Sequence, residues 1–210
     1  MAVRLFHSIF VHTPKTGGTW VRAVLREMGL DRGEVGRDHA TPAELADKPA
    51  YLHRAVVFTF VRHPLSWYQS YWAYRMKNGW HRASPGEVAA PIRTVSLDAT
   101  CRDDDFERFV RNCLRRYPKG WVTHLYDHYT RGCTFIGRQE RLREDLLFAL
   151  TLAGEPVNVE IARTYPAQNV ASGDEDLKSQ CRYPGELARE VAAVERSAMA
   201  RWGYAVGEDI

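Results

Sequence analysis

The stretch from Ser8 to Trp20, Ser-Ile-Phe-Val-His-Thr-Pro-Lys-Thr-Gly-Gly-Thr-Trp, constrains the fold more than any other part of the chain. The β-branched and aromatic run Ile9, Phe10, Val11 suits a buried strand, and Pro14 stops it. Gly17 and Gly18 then let the backbone turn its amides inward over an anion. Thr19 is expected to cap the helix that follows. Trp20, Val21, Val24, Leu25 and Met28 recur there at helical spacing, and Gly29 supplies a left-handed stop. A strand, a glycine turn and a helix start make a phosphate site, because orphan amides and the helix dipole meet an anion together. Lys15 adds a mobile point charge, and the hydroxyls of Thr16 and Thr19 can complete the shell. The plain alternative is an ordinary strand-turn-helix connection.

The order of residues departs from the usual nucleotide loop, in which four residues separate the first glycine from Gly-Lys-Ser/Thr; here the lysine precedes the glycine pair and follows a proline. Pro-Lys-Thr-Gly-Gly-Thr-Trp instead resembles the 5′-phosphosulfate loop of the sulfotransferases, which use 3′-phosphoadenosine-5′-phosphosulfate. That family carries a second signature at the end of a later strand. Val56 to Val61 is such a strand, a continuous β-branched and aromatic run that predicts a parallel sheet covered on both faces. It ends in Arg62-His63-Pro64, and an aromatic-rich helix is expected from Leu65 to about Lys77, with Gly79 ending it. Arg62 and Ser70 lie eight positions apart, at a spacing that lets both face a crevice outside the strand's carboxyl end. The segment Phe60 to Trp72 is similar to the 3′-phosphate segment of sulfotransferases, and the resemblance assigns that phosphate to Arg62 and Ser70.

The resemblance extends from Ile9 to Tyr204 and implies an α/β fold of the P-loop kinase type, three-layered, with a central parallel β-sheet flanked by helices. It implies in-line transfer of a sulfuryl group to a hydroxyl of a carbohydrate or small-molecule acceptor. The enzyme must hold donor and acceptor in line, neutralise charge growing on the leaving phosphate oxygen, and take a proton from the nucleophile. Lys15 suits the second task and the backbone of Thr16, Gly17, Gly18 and Thr19 the first. Trp20 matches the family's tryptophan after the loop, which stacks on adenine; a core role fits it equally. In several carbohydrate sulfotransferases a histidine between the two motifs is the general base, and His39 holds that place, with His12, His53 and Glu44 as alternatives. The strand expected at Thr134 to Gly137 and the helix after it resemble a later family segment, from which Arg138 can reach the nucleotide.

The rest of the chain adds boundaries. Its 210 residues and 45% hydrophobic content fit one domain with a sizeable core. The net charge of +3 suits an anionic cofactor but not a nucleic-acid partner. Cys101, Cys113, Cys133 and Cys181 form no CxxC pair, so reduced thiols are expected, and His124 with His128 lacks the acidic partner of a zinc enzyme. No metal is therefore expected. The N-terminal apolar run is too short for a membrane span, and no secretion signal is visible, which places the protein in a cytoplasm. Thr41, Pro42 and Glu44 predict a capped short helix just after His39. Residues 80 to 102 read as a long loop walling the substrate. Asp103 to Asp105 open a helix with Phe106, Phe109, Val110 and Cys113 inward and arginines outward. The aromatic run Trp121 to Tyr129 reads as core packing or an acceptor pocket. Asn169 falls in a polar loop, and one amphipathic helix is expected from Pro184 to Trp202. Two other readings stand: a nucleotide or small-molecule kinase on the same fold, which needs magnesium, and a nucleotide-binding module without catalysis.

Overall fold

The computed structural model describes residues 2–48, 51, 56–80, 97–167 and 175–205. In chain order the elements are β1 (Ala2–Arg4), β2 (Ser8–Phe10), α1 (Gly18–Glu27), β3 (Glu34–Val35), α2 (Pro42–Leu45), β4 (Val56–Val61), α3 (Pro64–Asn78), α4 (Phe106–Arg116), α5 (Trp121–Thr130), β5 (Phe135–Arg138), α6 (Leu142–Leu152), α7 (Val159–Thr164), α8 (Glu175–Gln180), α9 (Gly185–Val194) and α10 (Arg196–Trp202). Two compact units divide the chain: Met1–Arg62 with Tyr126–Asn169, and His63–Leu125 with Val170–Ile210.

The first unit is α/β. Its five-stranded open sheet has the order β3-β1-β2-β4-β5. The expected parallel pairing is present where β2 meets β4 and β4 meets β5, in registers such as Phe10 with Phe58 and Val61 with Arg138. The sheet as a whole is mixed, not parallel, because β1 runs antiparallel to both β2 and β3. Only three residues separate β1 from β2, closed by the Leu5 N–H on the Ser8 carbonyl, and so short a connection can join only antiparallel strands.

All six residues of β4 are buried, as a strand covered on both faces requires. Phe58 and Phe60 share one face and pack with Phe10, Trp20, Val21, Val24 and Leu25 from β2 and α1, and with Leu146 and Leu150 from α6. Each such side chain contributes roughly 1.5–3 kcal/mol on burial. The end of α1 is the one expected: Gly29, at φ 68°, bonds the Arg26 carbonyl while the Leu30 N–H bonds Leu25. Its start differs. Gly17, left-handed at φ 85°, is the N-cap with no side-chain bond, and Thr19 is an exposed residue inside the first turn. At α2 the capping box is as expected, with the Thr41 hydroxyl accepting from the Glu44 N–H and the Glu44 carboxylate accepting from the Thr41 N–H.

In the second unit α3 starts from His63, whose Nδ1 accepts the Leu65 N–H, and ends at Gly79. Its Trp67, Tyr68, Tyr71 and Trp72 are buried, and Tyr71 stacks on Phe109 of α4. Asp105 caps α4, and Arg111 and Arg116 on its outer side pair with Glu107, Glu190 and Asp98, a solvated face. The single C-terminal helix expected from the apolar spacing is instead two, broken at Glu195. The cause is tertiary. The fully buried Glu195 carboxylate accepts from the Tyr68 hydroxyl at 2.7 Å, the Val122 and Thr123 N–H groups at 3.0 and 2.8 Å, and the Thr123 hydroxyl at 2.8 Å. It thereby satisfies two orphan donors at the start of α5. Burial raises the Glu195 carboxyl above its ordinary range, and these donors pull the other way.

Candidate functional site

The loop after β2 is built by hydroxyls. Val11 continues the pairing through its N–H to the Phe58 carbonyl. The Thr59 hydroxyl on β4 donates to the Val11 carbonyl and meets the Thr13 hydroxyl, both at 2.7 Å. The Thr16 hydroxyl, offered by the sequence as part of a ligand shell, donates to the Thr13 carbonyl at 2.8 Å and so closes the turn itself. Lys15 then takes φ 65° and Gly17 φ 85°. Left-handed residues on either side of Thr16 give the kind of backbone that turns successive amides toward one concave side. The turn opens into α1, an end that no side chain caps.

Two loop glycines are required for separate reasons. Gly17 needs its positive φ, and a Cβ there would also meet Leu142 at 2.6 Å. At Gly18 a Cβ would lie 2.0 Å from the His12 ring, so the imidazole of His12 rests on the bare Cα.

His12 brings His39 to the loop. Their ring centroids are 5.2 Å apart, at an interplanar angle of 57°. His39 sits in the turn before α2 at φ 52°, with its carbonyl accepting the Tyr129 hydroxyl at 2.7 Å and its Nδ1 buried without a hydrogen-bond partner. Burial above all, then the neighbouring His39, pushes His12 down to about 3. Burial also lowers His39, while a hydrogen bond to the His12 backbone acts the other way. Both imidazoles are therefore neutral at neutral pH, the form that can accept a proton. Lys15 and His39 are the two non-glycine residues with positive φ among the described residues.

Because β2, β4 and β5 are parallel, their carboxyl ends share one edge of the sheet. Lys15 follows β2, Arg62 follows β4 and Arg138 ends β5. The Arg62 guanidinium comes within 3.5 Å of the Lys15 carbonyl oxygen. The Arg62 N–H donates to the Tyr126 hydroxyl at 2.9 Å, and that hydroxyl donates to the Arg62 carbonyl at 2.6 Å. The Arg138 N–H donates to Asp145 at 2.7 Å. Three cationic residues thus stand at the edge where ligands of open α/β sheets collect.

Other residues singled out in the sequence stand elsewhere. Trp20 is only 4% exposed, within the core, facing Tyr165 and lying under the Arg143 guanidinium; packing is the role its surroundings supply. Ser70 lies half-exposed on α3, in the second unit. Glu44 is occupied: although burial alone would raise its carboxyl, bonds from Thr41 and Arg37 hold it below the ordinary range. His53, Asn169 and residues 81–96 of the long loop lie outside the described residues. Among the described residues no three His, Cys, Asp or Glu gather as a metal site, and no helix is long and apolar enough to cross a membrane. Sequence reasoning missed the tyrosine hydroxyls of α5 and the contact between His12 and His39. Only the position of His12, three residues before Lys15, hinted at the latter. No protein-family model, curated protein or solved structure matches this chain.

Proposed function

We propose that this chain is a sulfotransferase of the P-loop kinase-like, three-layered kind, using 3′-phosphoadenosine-5′-phosphosulfate as donor and a hydroxyl of a small molecule or glycan as acceptor. The observation that carries the reading is the strain at Lys15 and His39. A left-handed conformation costs a residue with a Cβ roughly 1–2 kcal/mol. Such outliers persist where the surroundings enforce them, and they gather at functional sites. Among the described residues that conformation falls, outside glycine, on the two residues whose types fit charge neutralisation and proton acceptance.

The residues present suit the donor. The turn at Lys15 to Gly17 and the uncapped start of α1 offer amides to a 5′-phosphate, and a Cβ at either glycine would intrude on its neighbours. Arg62 binds the 3′-phosphate, and Arg138 adds charge at the same edge. When bound, such a donor supplies a sulfuryl group already activated for displacement by an oxygen nucleophile. Lys15 offsets negative charge on the phosphate side, and its ammonium needs no metal to do so. His39, neutral and beside the loop, accepts the proton of the acceptor hydroxyl. Glu44 is unsuited to that task, since Arg37 and Thr41 already engage its carboxylate.

Transfer of label from radioactive donor to a phenol and to a chitin oligosaccharide tests the assignment. His39→Ala is expected to lose about 10²-fold or more in turnover, with unchanged affinity for adenosine 3′,5′-bisphosphate. Weakened nucleotide binding with normal turnover would remove His39 from the role of base.

A further inference from the structure

Helix α5 touches the proposed site in a way the reaction itself does not call for. Tyr126 and Tyr129 lie three positions apart, on one helical face, and their rings are buried to 1% and 0% exposure. Buried phenols must place their hydroxyls. Tyr126 places its hydroxyl on both sides of one residue, accepting from the Arg62 N–H at 2.9 Å and donating to the Arg62 carbonyl at 2.6 Å. Those groups belong to the two peptide planes that flank the Arg62 Cα. Holding both planes fixes both backbone dihedrals, and with them the direction in which the Arg62 side chain leaves the strand. Tyr129 donates to the His39 carbonyl at 2.7 Å, on the residue whose φ of 52° needs an external hold. Burial raises the Tyr129 phenol well above its ordinary range, which keeps it a donor.

We propose that Tyr126 and Tyr129 are positioning residues, each setting one half of the site: Tyr126 the aim of Arg62 at the 3′-phosphate, and Tyr129 the placement of the His39 imidazole. The proposal rests on the sulfotransferase reading for what Arg62 and His39 do. A purely structural role for the two tyrosines would affect both halves together, whereas separate pegs act separately. In Tyr126→Phe the ring still fills its place, but the Arg62 N–H and carbonyl lose their partner.

Two readouts on Tyr126→Phe and Tyr129→Phe distinguish these cases. The first is the ratio of calorimetric affinities for adenosine 3′,5′-bisphosphate and for adenosine 5′-monophosphate. The second is the His39 ring signal in the proton–carbon NMR spectrum at fixed pH, assigned by its loss in His39→Ala. Tyr126→Phe is expected to reduce the ratio about ten-fold and leave the His39 signal in place; Tyr129→Phe is expected to displace the signal and leave the ratio unchanged. Both variants altering both readouts, or neither variant altering either, overturns the proposal while a selective wild type leaves the function standing. A wild type that binds the two nucleotides equally overturns the function, and the proposal with it.

Discussion

At the scale of single residues, close approaches shape the loop. The ring of His12 occupies the space where a Gly18 side chain would begin. Gly18→Ala is therefore expected to cost about 1–3 kcal/mol in urea denaturation, and His12→Ala should relieve part of that cost when the two are combined. Simple additivity of the two substitutions would show that the ring is not what excludes the methyl group. The positions of Lys15, Gly17, Gly18 and Arg62 just beyond two strand ends were legible in the sequence, because the strands before them show as apolar runs. Thr19 was not, since the cap was taken by a left-handed Gly17 that needs no side chain. The hydroxyls of Tyr126 and Tyr129 were hidden for another reason: helical spacing marks both rings as core, and nothing local says which distant backbone group a phenol will meet.

Elements follow the same division between local and distant causes. The starts and stops of α1, α2, α3 and α4 include Gly29, the Thr41 box, Gly79 and Asp105, all signalled within a few residues. Strands β1 and β3, of three and two residues, are too short to show a period, and their antiparallel pairing makes the sheet mixed. The break between α9 and α10 is likewise invisible in the apolar pattern of Leu187, Val191 and Ala198. It comes from the carboxylate of Glu195, which accepts three bonds from Val122 and Thr123 at the start of α5 and a fourth from the Tyr68 hydroxyl on α3. Glu195→Ala leaves buried donors unsatisfied and should lower stability by about 1–3 kcal/mol, read as a reduced urea midpoint. Faster amide exchange should appear at Val122 and Thr123. Unchanged exchange at those two amides would mean that the carboxylate is not what holds this helix end.

For the whole molecule, the α/β class was legible, and the division of the chain was not. A continuous length of 210 residues suggested one domain. Each of the two compact units is assembled from two separated segments, and the sheet with the loop belongs to the first. Pairing between Phe60 and Gly137, far apart along the chain, is a non-local choice that neither strand states alone. The modest net charge of +3 gains meaning from position, with Lys15, Arg62 and Arg138 at one edge of the parallel strands. On the proposed function such an edge selects an anionic ligand, and the question is which one. Calorimetric binding of adenosine 3′,5′-bisphosphate, of ADP, and of ATP with magnesium, to the wild type and to Arg62→Ala, answers it most directly. Tight metal-free binding of the 3′,5′-bisphosphate in preference to the other two, weakened at least ten-fold in the variant, is the predicted result. A preference for ATP with magnesium would contradict the sulfotransferase account and favour a kinase.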